Sequence, residues 1–345
     1  MNSGGNIDLT GLFVSEIAQW LKEHKVAPYR ASQIFHWIHQ QTVQDFHSMA
    51  NLPAALIELL KDKFGHPVPL DLVVNKRSID GTEKFLFRLH DDATIEAVWI
   101  PEDHRQTICI STQVGCAMNC SFCATGKGGF SRNLSAGEIV AQALWIENYL
   151  KEQGLSISNV VYMGMGEPLA NYDQVIKSIR LINDATGLNI GARRITLSTC
   201  GLAPQIRALA GEELQINLAI SLHAVSGDVR SEIMPINKLY PLKELLGACD
   251  FYVEQTGRRL SFEYALIANI NDKVEHAKKL VELLKGRLCH VNLIPVNPVG
   301  EEKRPSEHNI KEFARILDEA NIPVSIRKER GTDIKAACGQ LRQSL

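Results

Sequence analysis

The sequence predicts an α/β fold: a partial (βα)6 barrel with an N-terminal helical accessory domain and a small β extension. Three observations predict it. Between residues 106 and 326, short runs rich in Val, Ile and Leu alternate with amphipathic stretches, the pattern of buried parallel strands joined by crossover helices. The alternation yields six strand–helix units, whereas a closed barrel of the TIM type needs eight. Polar or glycine-rich segments follow the strands, at the strand C-terminal ends where such scaffolds build their sites. The expected divisions are a helical domain at 1–69, a β extension at 70–105, the barrel at 106–326 and a C-terminal cysteine-bearing segment at 327–345.

In chain order, residues 8–65 read as helical, with Ala31, Ile34, Phe35 and Ile38 on one face at helical spacing. Lys22, His24, Lys25, Arg30, His36 and His39 give this region a mildly basic surface; any packed helical subdomain shows a similar pattern. Residues 70–105 read as antiparallel strands turning at Asp80-Gly81 and Asp91-Asp92. The barrel strands are expected at 106–112, 159–164, 193–198, 215–222, 260–267 and 289–295. The helices are expected at 136–153, 172–185, 203–209, 242–255, 273–285 and 307–320. Ser135 and Glu138 form a capping box for the first of them.

Composition narrows the class. The chain has 345 residues, 45% hydrophobic and 22% charged, enough for one large domain and a smaller one. The formal charge is -2, so nucleic-acid binding would rely on local patches. No apolar run reaches the length of a membrane span, and Met1–Asn6 lacks a signal-peptide pattern. Eight cysteines in a chain of this size point to a reducing, cytoplasmic setting with metal or catalytic roles.

Three of the cysteines, Cys116, Cys120 and Cys123, form a C-x3-C-x2-C loop after the first barrel strand. Three neighbouring thiolates hold an iron–sulfur cube with one corner left open, since a full protein set has four. This loop resembles that of the radical S-adenosylmethionine (SAM) superfamily, in which the open iron chelates the methionine part of SAM. The alternative is a structural zinc completed by Cys109, although only Cys120 and Cys123 have the usual zinc spacing.

Gly166 and Glu167 lie in Gly164-Met165-Gly166-Glu167-Pro168 after the second strand, where glycine lets backbone approach a ligand and Glu167 is a candidate acceptor for its amino group. Ser198 ends the third strand, and Ser221-Leu222-His223 closes the fourth. The two serines are candidates for the ligand's carboxylate or ribose, or for helix caps. His223 is either a ligand contact or a satisfied structural histidine. Asn297, between Pro295 and Pro298, either meets the adenine edge or holds a turn. Cys338 lies in a polar, basic loop between Gly331 and Gly339, an unusual setting for a structural cysteine. Cys109 is its candidate redox partner, while Cys200, Cys249 and Cys289 read as core.

Cys116–Cys123, Gly164–Leu169, Ser221–His223, Met234-Pro235-Ile236-Asn237, Asn292-Leu293-Ile294-Pro295 and Ala336–Leu341 together resemble the RlmN/Cfr family of radical SAM RNA adenine methyltransferases. The likeness spans about residues 15–341 and is nearer to the RlmN branch. It implies a 4Fe–4S cluster and SAM as cofactors, with an RNA-binding accessory domain at the N-terminal side. It also implies two SAM molecules per turnover. One methylates Cys338. The other yields a 5′-deoxyadenosyl radical that takes a hydrogen from that methyl group. The resulting methylene radical adds to adenine C2, and Cys109 then frees the product by forming a disulfide with Cys338. Glu96 matches the family's proposed proton acceptor, although an alternating strand such as 94–98 equally holds a solvent-facing carboxylate.

The implied substrates are adenosine 2503 of 23S rRNA and adenosine 37 of certain tRNAs. The implied partners include an electron donor such as flavodoxin or ferredoxin, with the protein a cytoplasmic monomer. The alternatives are C8 methylation of the same rRNA adenine, a zinc-bound RNA-binding protein without activity, and a radical SAM activase of a protein.

Overall fold

The computed structural model describes residues 8–300 and 302–342; Met1–Asn6, on which the signal-peptide reading rests, lie outside them. The N-terminal region contains α1 (Val14–Glu23), α2 (Arg30–Phe35), which continues as a π turn through His36–Gln40, and α3 (Ala54–Phe64). The predicted face is buried: Ala31, Ile34, Phe35 and Ile38 are each at most 1% exposed. His39 corrects the expected basic surface. It falls four residues after Phe35, on the same inward stripe, and stacks on that ring at 4.1 Å. Burial draws its pKa down to about 3, so it stays neutral. Lys22, Lys25 and His36 remain exposed.

The β extension is three antiparallel strands, β1 (Asp71–Arg77), β2 (Glu83–Arg88) and β3 (Thr94–Glu102). Both predicted turns are present, with positive φ at Gly81 and Asp92. The barrel then runs β4 (Arg105–Cys109), β5 (Gln113–Gly115), α4 (Ala124–Lys127), β6 (Phe130–Asn133), α5 (Ala136–Lys151), β7 (Asn159–Tyr162), α6 (Tyr172–Asn183), β8 (Ile195–Thr199), α7 (Ala203–Leu209) and β9 (Asn217–Ser221). It continues through α8 (Gly227–Ile233), α9 (Leu242–Thr256), β10 (Leu260–Leu266), α10 (Val274–Leu284), β11 (Cys289–Pro295), α11 (Glu307–Glu319) and β12 (Val324–Ile326).

All six predicted strands form. The unpredicted β12 adds a seventh parallel strand beside β11, with Val291 opposite Val324. The sheet order is β1-β2-β3-β4-β7-β8-β9-β10-β11-β12, and it is not closed. The β extension is therefore continuous with the barrel, joined where β3 pairs antiparallel to β4. β5 and β6 make a separate ribbon that frames the cysteine loop.

The capping box of α5 forms as expected. Ser135 Oγ accepts from the Glu138 N–H at 3.0 Å, and Glu138 Oε2 accepts from the Ser135 N–H at 2.8 Å. The N-terminal helices dock on this face of the barrel through Thr10 Oγ1 to the Gly137 carbonyl (3.0 Å) and Lys177 Nζ to Glu16 (2.7 Å). Among the described residues no helix is long and apolar enough to cross a membrane.

Candidate active site

Two cavities meet inside the barrel. The inner one, of about 170 Å³, lies at the C-terminal ends of the strands. Its lining unites Cys116, Cys120 and Cys123 with Gly166, Glu167, Ser198, Ser221, His223, Asn297 and Cys338. The outer one, of about 630 Å³, reaches toward the strand N-terminal ends and is lined by Cys109 and the basic residues Arg105, Arg259, Lys328 and Arg330. Cys338 belongs to both, as do Met163, Glu263, Ile294, Asn297 and Arg327.

The cysteine loop is pinned at several points. The Cys116 N–H donates to the Gly129 carbonyl (2.8 Å), the Ser121 N–H to Ile233 (3.0 Å) and the Ala124 N–H to Gly339 (2.7 Å). Burial pushes the Cys116 thiol up to about 12 and also raises Cys120. A cationic cluster core is what would draw those protons off, because thiolates are the metal ligands. Among the described residues no three His, Cys, Asp or Glu side chains converge on a single ion position. Three sulfurs instead ring one cavity, the donor set that three separate iron corners of a cube require. The residues fit the group.

Glu167 is buried, and burial raises its carboxyl pKa. Oε1 accepts from the Leu169 N–H (3.0 Å) and Oε2 from the Cys200 N–H (2.7 Å). Its own N–H donates to Gln113 Oε1 at 2.9 Å. Gly166 makes that packing possible: its φ is +105°, and a Cβ there would stand 2.7 Å from Gln113 Cβ. These bonds orient the carboxylate within the cavity wall. Neither Ser198 nor Ser221 caps a helix; both line the cavity.

His223 has φ +56° and is held there by Asn271, whose Nδ2 donates to its carbonyl at 2.7 Å. Its Nδ1 accepts from the Ala265 N–H (2.9 Å), and burial draws its pKa to about 3. The ring is therefore neutral with its proton on Nε2. Leu222 does not reach the cavity; its side chain is fully buried and its carbonyl serves Arg230 Nε at 3.1 Å. Asn297 Nδ2 donates to the Cys338 carbonyl at 3.4 Å, placing it against the C-terminal segment.

Cys109 ends β4 and is buried, and burial pushes its thiol up to about 12. Cys338 raises it further and Arg327 opposes. Both thiols are free. Arg327, facing both of them, lies 4.0 Å from Glu263 Oε2, which also accepts from Asn292 Nδ2 at 2.8 Å.

Glu96 stands elsewhere. It lines neither cavity, pairs with Lys84 Nζ at 3.1 Å and accepts from the Arg342 N–H at 2.7 Å. It is 1% exposed, so the solvent-facing alternative does not hold. The C-terminal segment is also tied down. Asp333 accepts from Ser78 Oγ (2.6 Å), Asp80 from the Gly331 N–H (2.9 Å), and the Leu341 carbonyl from Thr125 Oγ1 (2.7 Å).

Sequence reasoning missed Gln113, Glu263 and Arg327. Glu263 carried a signal: it is the one charged residue inside the apolar run Leu260–Leu266.

An open parallel barrel with three cysteines at its mouth and a ligand cleft beside them defines a radical SAM enzyme. The comparisons agree. Residues 110–284 match the model of the radical SAM superfamily, and residues 7–64 match that of the ribosomal RNA large subunit methyltransferase N-terminal domain. A radical SAM methyltransferase from Sphaerobacter thermophilus superposes with a TM-score of 0.95 at 46% identity, over 97% of this chain and 99% of that one. The probable dual-specificity RNA methyltransferase RlmN of Geobacillus thermodenitrificans is 49% identical over 96% of this chain and 91% of its own length. The protein of that name from Clostridium botulinum strain Eklund 17B is 50% identical over 96% and 95%. The chain belongs to the RlmN family of radical SAM methyltransferases, whose cofactors are a 4Fe–4S cluster and SAM.

Proposed function

We propose that this enzyme methylates C2 of adenine in RNA, at adenosine 2503 of 23S rRNA and adenosine 37 of certain tRNAs, through an S-methyl group carried on Cys338. The observation that carries the reading is the position of Cys338 at the junction of the two cavities, with the cluster cysteines on one side and Cys109 on the other. Adenine C2 is not a nucleophile, so polar methyl transfer fails there. When bound, the cluster supplies the electron that cleaves SAM.

In this reading Cys116, Cys120 and Cys123 hold the cluster, and Glu167 takes the ammonium of SAM. Ser198, Ser221 and Asn297 complete its polar contacts, and neutral His223 supports the wall. The basic outer cavity receives the RNA adenine beside Cys338. Cys109, as thiolate, attacks the Cys338 sulfur; the sulfur–carbon bond breaks with its electron pair on the product carbon, which takes up a proton to become the methyl group, and a disulfide remains. Glu96 acts on this chemistry by anchoring the C-terminal segment. A low-potential flavodoxin or ferredoxin returns the electrons.

The test is nucleoside mass spectrometry of rRNA and tRNA incubated with reconstituted protein, SAM and a reductant. 2-Methyladenosine is expected. 8-Methyladenosine would move the assignment to Cfr-type chemistry, and no methylated adenosine would refute it.

A further inference from the structure

Arg230, on α8, is the largest completely buried side chain among the described residues. Its guanidinium donates from Nε to the Leu222 carbonyl (3.1 Å) and from Nη1 to Asn237 Oδ1 (3.2 Å). From Nη2 it reaches the carbonyls of Cys200 (2.7 Å) and Ser221 (3.1 Å). Every acceptor is neutral. Carbonyls satisfy its donors without cancelling its charge, and a buried charge without a counter-ion is costly.

The ionisable side chains that act on it are cysteines. Burial draws its pKa down, and Cys200, Cys120 and Cys249 push it back up. Glu167 Oε2 accepts from the Cys200 N–H while Arg230 Nη2 donates to the carbonyl of the same residue. The surroundings build this cation toward the cysteine loop. The end of α8 accepts the Ser121 N–H at Ile233, and the next residue, Met234, lines the inner cavity. Gly201, at φ +107°, packs beside both Leu245 and Arg230: a Cβ there would stand 2.9 Å from Leu245 Cδ1 and 3.3 Å from Arg230 Nη2.

We propose that Arg230 is the buried counter-cation of the iron–sulfur cluster, a positioning residue that favours the cluster's reduced form without touching SAM or RNA. A cube held by three thiolates is net anionic and gains a further negative charge on reduction. Net charge near a cluster sets its potential. Arg230 thus supplies the charge that the cluster needs, and the cluster supplies the one that Arg230 lacks. The proposal rests on the cofactor assignment above.

The experiment compares the wild type with Arg230→Gln, Arg230→Lys and Asn237→Asp, each reconstituted anaerobically with iron and sulfide. EPR-monitored redox titration gives the midpoint potential, and thermal melts are run on apo and loaded protein. Arg230→Gln is expected to disfavour the reduced form at least tenfold, about 59 mV for a one-electron couple. Arg230→Lys should restore most of this. Asn237→Asp, which places a carboxylate on Nη1, should shift the potential in the same direction as Arg230→Gln. The gain in melting temperature on loading should shrink in Arg230→Gln.

A fully loaded Arg230→Gln with the wild-type potential overturns the proposal, as does Arg230→Lys shifting as far as Arg230→Gln. If Arg230→Gln fails to fold, an unchanged potential in Asn237→Asp overturns it. A wild type that binds no cluster refutes the cofactor assignment, and this proposal with it.

Discussion

Cys338 and Cys109 should fail at different steps, because one thiol faces both cavities and the other only the outer one. Cys338→Ala should form no covalent RNA conjugate. Cys109→Ala should accumulate one that survives denaturation, since no thiolate remains to attack the sulfur. Gel analysis after incubation with RNA and SAM decides it, and full turnover by Cys109→Ala would remove its resolving role. Glu167 gives a pH signature. Burial raises its pKa, so in the proposed reading a proton competes with the ammonium of SAM as pH falls through that raised value. Affinity should therefore hold at higher pH and decline on acidification. Glu167→Gln should weaken binding by roughly 1.5–3 kcal/mol, about ten- to a hundredfold, and flatten the pH dependence. Calorimetry across pH checks both. The residues that sequence exposed were those in compact strings, such as Cys116–Cys123 and Gly164–Leu169. Arg327 and Gln113 were not legible, because each acquires its role from a partner far along the chain.

The strands and helices of the barrel were legible because burial on both faces leaves long apolar runs. Cys289–Pro295 and Ala203–Leu209 match their expected bounds. β12 has only three residues, too short for any period, and β5 and β6 are polar ribbon strands without an apolar run. α8 escaped for a related reason: its seven residues bury little beyond Arg230 and Ile233. The β extension was legible as strands, yet not as the anchor of the C-terminal segment. Glu96 on β3 and Lys84 on β2 carry that role, bonding the Arg342 N–H and the Lys335 carbonyl. Glu96→Ala leaves Lys84 buried without its partner, a loss on the order of 3 kcal/mol. It should lower the melting temperature and speed tryptic cleavage at Lys328, Arg330 and Lys335. Wild-type stability and an unchanged digestion rate would contradict the anchoring role.

At the scale of the whole molecule, the proposed reading divides RNA recognition between the helical domain and the basic outer cavity. Lys22 and Lys25 are exposed on the accessory domain. Lys22→Glu with Lys25→Glu should weaken RNA binding and reduce its salt dependence by up to about two counterions, leaving SAM cleavage without RNA unchanged. Filter binding across a salt series tests this, and an unaltered slope would take the RNA path elsewhere. The open sheet has a further consequence. Its two ends, β1 with β2 and β12, are clasped by one tail: Asp333 grips the turn after β1, while Gly339 and Leu341 hold the cysteine loop. The Asp333 and Leu341 contacts join residues 255 and 216 positions apart in the chain. Such contacts form late in folding, and during synthesis the tail leaves the ribosome after everything it clasps. Maturation thus has a built-in order. In the proposed reading, methyl transfer waits until the segment carrying Cys338 has been made and seated against the cysteine loop.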